Sequence, residues 1–199
     1  MNDPLLPLGD GHTALSEEDR RGLLPAYIAT RGELNEAEQA NILRAIGRAR
    51  RPSVRQLLDD LYLRRLHGRM FGDVWRWAGR YRTVDTNIGI DWARVPVAVR
   101  DLVQDARAWV AAAGPDVEDA DALTVRFHHR LVQIHPFANG NGRHGRVAAD
   151  YLVQALGRPR FSWGAKHHLD DRALRAAYIA ALHAADAGDL APLVVFARG

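Results

Sequence analysis

The sequence predicts a mainly α-helical protein, a bundle of about six to eight helices with one small β-hairpin. Apolar residues recur at helical spacing along most of the 199 residues. Glycine and proline interrupt these stretches where helices are expected to end. Only residues 71–91 differ, because they mix aromatic residues, glycines and short β-prone pieces. That mixture favours a loop followed by a hairpin over residues 85–90.

Helices are expected on both sides of that hairpin. Before it, Asn35 and Glu38 resemble a capping box that starts a helix. Apolar residues over residues 54–70 recur at helical spacing, which predicts helix there. After the hairpin, Pro96 suits the first turn of a long helix, which Gly114 ends.

The second half of the chain is expected to be helical almost throughout. Apolar stripes predict helices over residues 123–134, 147–156, 174–182 and 192–196. No segment resembles a linker or an internal repeat. We therefore expect one folded domain over residues 30–199, preceded by an N-terminal extension over residues 1–29.

Composition narrows the class of protein. The 27 Lys and Arg residues against 24 Asp and Glu residues leave a net charge of only +3, and no basic run is interleaved with aromatic residues. Nucleic acid is therefore not an expected partner. The absence of cysteine excludes disulfides and thiolate chemistry. No apolar run approaches the length of a membrane span, and the N-terminus does not read as a signal peptide, so we expect a cytoplasmic protein without a membrane partner.

A glycine-rich bend reading IHPFANGNGRHGRV, over residues 134–147, contains the pattern G-x-G-x-x-G. A dinucleotide-binding fingerprint would follow a strand and precede an acidic residue by about 20 positions. Here the preceding residues have helical periodicity, and the downstream window holds no acid. The lysine strand and catalytic loop of a kinase are also absent from the sequence. The match to the dinucleotide-binding fingerprint and the match to the kinase glycine-rich loop are therefore both coincidental.

A bend of this composition between two helices is nevertheless a phosphate site on physical grounds. Gly140 and Gly142 allow the backbone to turn tightly and approach an anion, which then faces the N–H groups of the second helix. Arg143 and Arg146 lie three residues apart and so share a helix face. His135 ends the first helix, where a neutral imidazole is well placed to take a proton from a hydroxyl.

The segment HPFANGNGRHGR resembles the active-site motif of the Fic (Fic/Doc) family, H-x-F-x-[DE]-G-N-G-R-x-x-R. Seven of its eight specified positions match: His135, Phe137, Gly140, Asn141, Gly142, Arg143 and Arg146. Asn139 stands where the family has an acidic residue. The segments MFGDVWRWAGRYRT and YIAALHAADAGDLAPLVVFA are also similar to the family, so the resemblance covers roughly residues 30–197. Within the family, the chain looks most like the branch called mobile mystery protein B.

The resemblance implies a Fic fold and a protein adenylyltransferase, which transfers AMP from ATP to a Ser, Thr or Tyr hydroxyl of a target protein. His135 would be the general base. The nucleotide would be bound by Phe137, Gly140, Asn141, Gly142, Arg143 and Arg146, with the two arginines on the β- and γ-phosphates. A β-hairpin flap at Thr86, Asn87, Ile88 and Gly89 would align the target backbone as an added strand.

Asn139 leaves two interpretations open, because the family's acidic residue holds Mg²⁺ at this position. Either the amide oxygen orients a Mg²⁺ held mostly by phosphates, or metal use and transferase activity are reduced. The alternatives to adenylyl transfer are transfer of another nucleotide or of phosphate. A further alternative is a nucleotide-binding regulatory or toxin module without turnover, for which an antitoxin or regulatory partner is implied.

An inhibitory glutamate is a further expectation from the resemblance. Many Fic proteins carry a helix with the pattern [ST]-x-x-x-E-[GN], whose glutamate pairs with the second motif arginine. Residues 30–42 occupy a suitable place without matching that pattern. Glu36 and Glu38 are the candidates to reach Arg146. The competing interpretation is that Glu38 only completes the cap at Asn35.

Overall fold

Helices provide the secondary structure of residues 17–48, 51–114, 119–167 and 170–199, which are the parts of the chain that this computed structural model describes. Their α-helices are α1 Glu17–Arg20, α2 Arg31–Arg48, α3 Val54–Leu57, α4 Asp60–Phe71, α5 Val95–Ala113, α6 Ala120–Ile134, α7 Asn141–Ala155, α8 Asp171–Asp186 and α9 Ala191–Arg198. The prediction of a mainly helical protein is confirmed. None of the described helices is long and apolar enough to cross a bilayer.

Helix α2 begins at Arg31, four residues before the predicted start at Asn35. Its first turn is closed by Thr30 and Glu33, which form the reciprocal bonds of a capping box. The Thr30 hydroxyl accepts from the Glu33 amide at 3.3 Å, and the Glu33 carboxylate accepts from the Thr30 amide at 2.9 Å. Asn35 and Glu38 therefore lie inside the helix, and the interpretation of Glu38 as a cap is wrong.

The helix predicted over residues 54–70 is two helices, α3 and α4. Ser53 caps α3 through a capping box with Gln56. Asp59 takes an extended conformation and accepts from the Tyr62 amide at 2.9 Å, which starts α4. Because a new N-cap interrupts the apolar stripe without changing its spacing, periodicity alone did not show the break.

Two hydrophobic cores meet along α6 and α7. The larger core packs α2, α4 and α5 against these helices, and its largest buried side chains include Phe71, Trp75 and Phe127. The smaller core packs α8 and α9 against the other side, around Val153 and Phe196. The two helices that flank the bend are consequently packed on both sides.

The β-hairpin predicted over residues 85–90 is wrong, since no strand is present among the described residues. The only β-pairing there is an isolated bridge between Leu23 and Trp75. Residues 83–90 instead form bends, because the Arg82 side chain donates hydrogen bonds to the carbonyl groups of Val84 and Ile90. Local β-propensity favoured strands here, and a side chain from just outside the segment overrides it.

The residues just before α2 pack on the rest of the fold. The Leu24 amide donates to the Val74 carbonyl at 2.9 Å, and the Trp77 indole donates to the Asp19 carbonyl at the same distance. The boundary at residue 29 stays a prediction, and residues 1–16 of the predicted extension lie outside the described residues.

Buried histidines are expected to make the stability depend on pH. Burial lowers the pKa of His128 to about 3 and that of His135 and His144 to about 4, and it holds the pKa of His67 well below its usual value. The unfolded chain binds these protons near pH 6.5 and the folded chain does not. Stability is therefore complete above about pH 6.5 and falls as the pH approaches 4, by about 1.4 kcal/mol per pH unit for each histidine.

The variant H144Q tests this expectation by urea denaturation at a series of pH values. It should reduce the slope of unfolding free energy against pH by up to about 1.4 kcal/mol per unit. The exposed His183 provides a matched control, since H183Q removes a histidine without removing a buried one. Equal slopes for the wild type and H144Q would contradict the assignment of His144 as a buried neutral group.

Candidate active site

Helix α6 ends on His135 in a strained backbone conformation. His135 has φ 56° and ψ 60°, the left-handed region that non-glycine residues occupy at a cost of about 1 kcal/mol or more. Its amide still donates to the Leu131 carbonyl at 3.2 Å, and Pro136 prevents a further helical turn. The chain therefore turns sharply at the residue that the motif assigns as the base.

The imidazole of His135 is held in one tautomer. Its Nδ1 lies 3.2 Å from the Val132 carbonyl oxygen, which can only accept, so Nδ1 carries the hydrogen. In the neutral ring the lone pair is then on Nε2. Burial lowers the pKa of His135 to about 4; the Val132 carbonyl opposes that shift and the charge of Arg82 adds to it. The ring is therefore neutral near pH 7 and able to accept a proton.

Asn141 closes the bend with its side chain. Its Oδ1 accepts from the Phe137 amide at 2.9 Å, and its Nδ2 donates to the Phe137 carbonyl at 2.7 Å. Both residues are buried, and the Phe137 ring stacks on His67 with 3.8 Å between centroids. The side chains of Asn141 and Phe137 thus hold the shape of the bend and do not face an open site.

His67 is a supporting residue that the sequence did not reveal. Its Nδ1 accepts from the Gly79 amide at 3.0 Å, so its Nε2 carries the hydrogen and donates to the Asn139 carbonyl at 3.0 Å. Burial is the largest cause that keeps its pKa well below the usual value, which fits a neutral ring with one donor and one acceptor satisfied. His67 lies on the apolar stripe of α4, and that stripe gave no sign of a partner 72 residues away.

Gly140 joins the bend to α7. It has φ 80°, and a Cβ at this position would lie 2.5 Å from Cζ of Phe71. Both the left-handed backbone and the lack of space therefore disfavour any larger residue. Helix α7 starts at the next residue, and the first amides of any α-helix lack intrahelical partners. Together with the helix dipole, these amides make the start of α7, at Asn141 and Gly142, a suitable cradle for phosphate oxygens.

Arg143 and Arg146 leave the first two turns of α7 and pack against different neighbours. The Arg143 guanidinium lies 5.1 Å from the Phe71 ring centroid and pairs with Glu38 at 2.6 Å. The Arg146 guanidinium lies 5.3 Å from the Tyr178 ring centroid. The structure thus brings Glu38 to the first motif arginine, whereas the sequence analysis expected it at the second.

Glu38 is a buried carboxylate on the inner face of α2. Its side chain is 2% exposed, and besides Arg143 it accepts from the Trp75 indole at 2.7 Å. A buried charge is tolerated when it is paired and hydrogen-bonded in this way. Glu36, which lies about 200° around the helix, is exposed. Of the two candidate glutamates, only Glu38 is brought to the motif.

Asn139, at the position that the motif assigns to Mg²⁺, forms a hydrogen bond within the bend. Its Oδ1 accepts from the Gly140 amide at 2.7 Å. Mg²⁺ usually binds through one or two carboxylates plus substrate phosphates, and this position supplies a neutral amide. Within the described ranges, no group of three or more His, Cys, Asp or Glu residues is arranged to hold a metal.

The segment predicted to align a target lies directly beside His135. Gly89 has φ 110°, and a Cβ on it would lie 2.6 Å from Cβ of His135. The Thr86 hydroxyl donates to the Ile88 carbonyl at 2.6 Å, which bends the segment, and Asn87 is exposed. The structure therefore brings Gly89 against the bend between α6 and α7, and residues 86–89 do not form a hairpin there.

Comparison with known proteins identifies the family. A model of the Fic/DOC family matches residues 57–153, from α3 to α7. A probable protein adenylyltransferase of Sinorhizobium fredii is 31% identical over 179 residues, which are 87% of this chain and 87% of that protein. The chain belongs to the Fic/DOC family.

Two further comparisons support the assignment of this chain to the Fic/DOC family. In one of them, the match covers only part of the relative. The protein adenylyltransferase fic-1 of Caenorhabditis elegans is 30% identical over 69% of this chain, but the match spans only 25% of that relative. The N-terminal Fic domain of a putative cell filamentation protein from Bartonella quintana, solved with bound ADP, has a TM-score of 0.67 at 20% identity. That match covers 87% of this chain and 86% of the other, and it shows that the fold is a Fic fold.

The two motif glycines are expected to respond differently to alanine. G140A places a methyl group in the Phe71 ring and strains a left-handed backbone, so it should destabilise the protein by about 1–3 kcal/mol. G142A is the matched control, because its Cβ would meet nothing nearer than the Tyr178 hydroxyl at 3.9 Å. Urea denaturation of both variants measures the difference. Equal stability of G140A and G142A would refute the tight approach of Gly140 to Phe71.

Proposed function

We propose that this chain is a protein adenylyltransferase, which transfers AMP from ATP to a hydroxyl side chain of a target protein. The observation that carries the proposal is the neutral, Nδ1-protonated imidazole of His135, which lies in the bend that leads into the N-terminus of α7. The family relatives named as protein adenylyltransferases support the same activity.

The nucleotide would bind with its phosphates on the first turn of α7. The amides of Asn141 and Gly142 would hold the α- and β-phosphate oxygens, since the first amides of a helix point along its axis toward the bend. The Gly140 amide would join them on leaving the Asn139 side chain, to which it donates at 2.7 Å. Arg143 would bind the β-phosphate and Arg146 the γ-phosphate, each with the fork of donors that suits phosphate. Phe137 would support this site from the core side, because its ring is buried.

The chemical step is an in-line displacement at the α-phosphorus. The hydroxyl oxygen of the target forms a bond to phosphorus while the bond from phosphorus to the bridging α–β oxygen breaks, and pyrophosphate leaves. Nε2 of His135 takes the hydroxyl proton as the new bond forms. The helix amides and both arginines stabilise charge on the phosphates, so positioning and electrostatics provide most of the rate.

The target would lie along residues 86–89, next to His135. A backbone segment without a strand partner offers amide and carbonyl groups to an extended peptide, which is how strand addition works. The packing of Gly89 on Cβ of His135 supports this placement. We propose a Ser, Thr or Tyr side chain as the acceptor.

Finer assignments belong to the same proposal. Any Mg²⁺ would arrive with the nucleotide and be held mostly by its phosphates, because Asn139 supplies a neutral amide and no carboxylate. The step above does not pass through a metal. A place in the mobile mystery protein B branch, a regulatory or antitoxin partner, and a cytoplasmic location stay predictions.

Glu38 would restrain the activity. It occupies Arg143 with a buried carboxylate at 2.6 Å, so a β-phosphate at that arginine must compete with it. Removal of the carboxylate leaves Arg143 available to the nucleotide. This supports Glu38, and not Glu36, as the inhibitory residue of α2.

Replacement of His135 is expected to abolish transfer while nucleotide binding persists. The measurement is incubation of the protein with labelled ATP and a cell lysate, with Mg²⁺ or EDTA, and detection of labelled bands. H135A should lose labelling by 10²-fold or more, about the size of a general-base contribution, and should retain ATP affinity.

Because the pKa of His135 is about 4, wild-type labelling should stay level from pH 8 down to about pH 5. Tight ATP binding without labelling by any form would favour a binding module without turnover.

Removal of the carboxylate at residue 38 is expected to increase labelling. E38G and E38Q both remove the partner of Arg143, and E38Q keeps an oxygen for the Trp75 indole. E36G is the matched control, because it introduces the same glycine at an exposed position of the same helix. Self-labelling and ATP affinity should rise in both Glu38 variants and not in E36G. No rise, or an equal rise in E36G, would refute restraint by Glu38.

A further inference from the structure

Arg82 lies between the catalytic bend and the target segment, and the sequence motif does not include it. It is 4% exposed, which is unusual for an arginine without a buried carboxylate partner. Its nearest acid is Asp85, whose side chain is 68% exposed and lies 3.5 Å from the guanidinium. A cation buried in this way must be stabilised mostly by other groups.

Backbone carbonyl groups provide that stabilisation. The Nε atom of Arg82 donates to the His135 carbonyl at 2.7 Å. One terminal nitrogen donates to the Val84 carbonyl at 3.0 Å, and the other donates to the Ile90 carbonyl. The Arg82 amide also donates to the Pro136 carbonyl at 3.0 Å. One side chain thus binds the catalytic bend and both ends of the target segment.

Only the shape of a guanidinium satisfies these three carbonyl groups together. Its planar fork points donors in fixed and divergent directions, and it is more weakly hydrated than an ammonium group. A lysine would place a single charged nitrogen at one of the three oxygens. The contacts therefore depend on arginine and not merely on positive charge.

We propose that Arg82 is a positioning residue for the transfer reaction, which ties the left-handed backbone of His135 to residues 84–90. The inference rests on the proposed function for the identity of the reacting groups. Arg82 fixes the carbonyl of the residue that carries the base, and the same guanidinium fixes the segment along which the target hydroxyl would arrive. The base and the acceptor are consequently aligned through one side chain.

The contacts also separate this role from nucleotide binding. The hydrogen bonds of Arg82 go to residues 84–90 and to the carbonyl groups of His135 and Pro136, and none of these bonds goes to residues 140–146. Its loss should therefore slow transfer while ATP affinity is retained. The guanidinium charge also lowers the pKa of His135, and the acids that face the guanidinium are Asp85 and Asp91 on the target segment. A neutral replacement should raise the pKa of His135.

The test compares R82Q and R82K with the wild type and with R80M, which removes an exposed arginine from the same loop. Four quantities are measured: labelling rate with ATP, ATP affinity, hydrogen exchange of residues 84–90, and the pKa of His135 by NMR. R82Q should slow labelling by roughly 10- to 100-fold, leave ATP affinity within twofold, speed exchange in the segment, and raise the pKa of His135. R82K should speed exchange and slow labelling but preserve the charge effect on that pKa.

Two results would overturn the inference. One is a loss of ATP affinity in R82Q as large as its loss of rate; the other is unchanged exchange in residues 84–90. If R82Q does not fold, R82K carries the same comparison, because it keeps the charge and loses the fork. If the wild type does not label, the proposed function fails, and the exchange and pKa measurements still decide whether Arg82 links the two segments.

Discussion

The site depends on the paired hydrogen bonds between the Asn141 side chain and the backbone of Phe137. They close the reversal from α6 to α7 on buried, neutral groups, so the bend needs no ligand or ion to keep its shape. Phe137 below them stacks on His67, which in turn binds the Asn139 carbonyl. A bend fixed in this way holds the first amides of α7, at Asn141 and Gly142, in place, and preorganised donors are the ones that contribute most to catalysis.

Charge enters the site only around this neutral frame. Glu38 and Arg143 satisfy each other at 2.6 Å on one side of α7, and Arg31 lies close enough that both affect its pKa, although burial lowers that pKa most. Arg146 lies over the Tyr178 ring on another side. The frame comes from α4, the bend and the first residue of α7, whereas the charges come from α2 and the following turns of α7. Helix α2 therefore lies where it would influence the proposed phosphate binding without shaping the bend.

The sequence predicted the helices α5 to α9, because periodicity and helix-ending residues are local signals. The motif also predicted that His135 and Gly140 lie in the bend between α6 and α7, where the structure has them. Local signals also explain the errors: Thr30 with Glu33 and Asn35 with Glu38 fit the same capping pattern, and only the structure shows which pair is used.

Residues that act across the chain were missed for the opposite reason. Arg82 binds the carbonyl group of a residue 53 positions away, and neither composition nor spacing marks such a partner. The wrong prediction of a hairpin has the same origin. Arg82 donates hydrogen bonds to the carbonyl groups of Val84 and Ile90, at the two ends of the segment that was expected to pair as strands. Contacts of this length become visible only when the chain is folded.

The Trp75 indole gives the ion pair an optical consequence. The indole N–H donates a hydrogen bond to the Glu38 carboxylate, which also pairs with Arg143. The Trp75 side chain is buried in the larger core. When a phosphate draws Arg143 away from that carboxylate, the electric field along the indole changes. If Arg143 binds a nucleotide phosphate as proposed, the emission of this tryptophan, one of five in the sequence, would report whether the first arginine of the motif is bound by Glu38 or by phosphate.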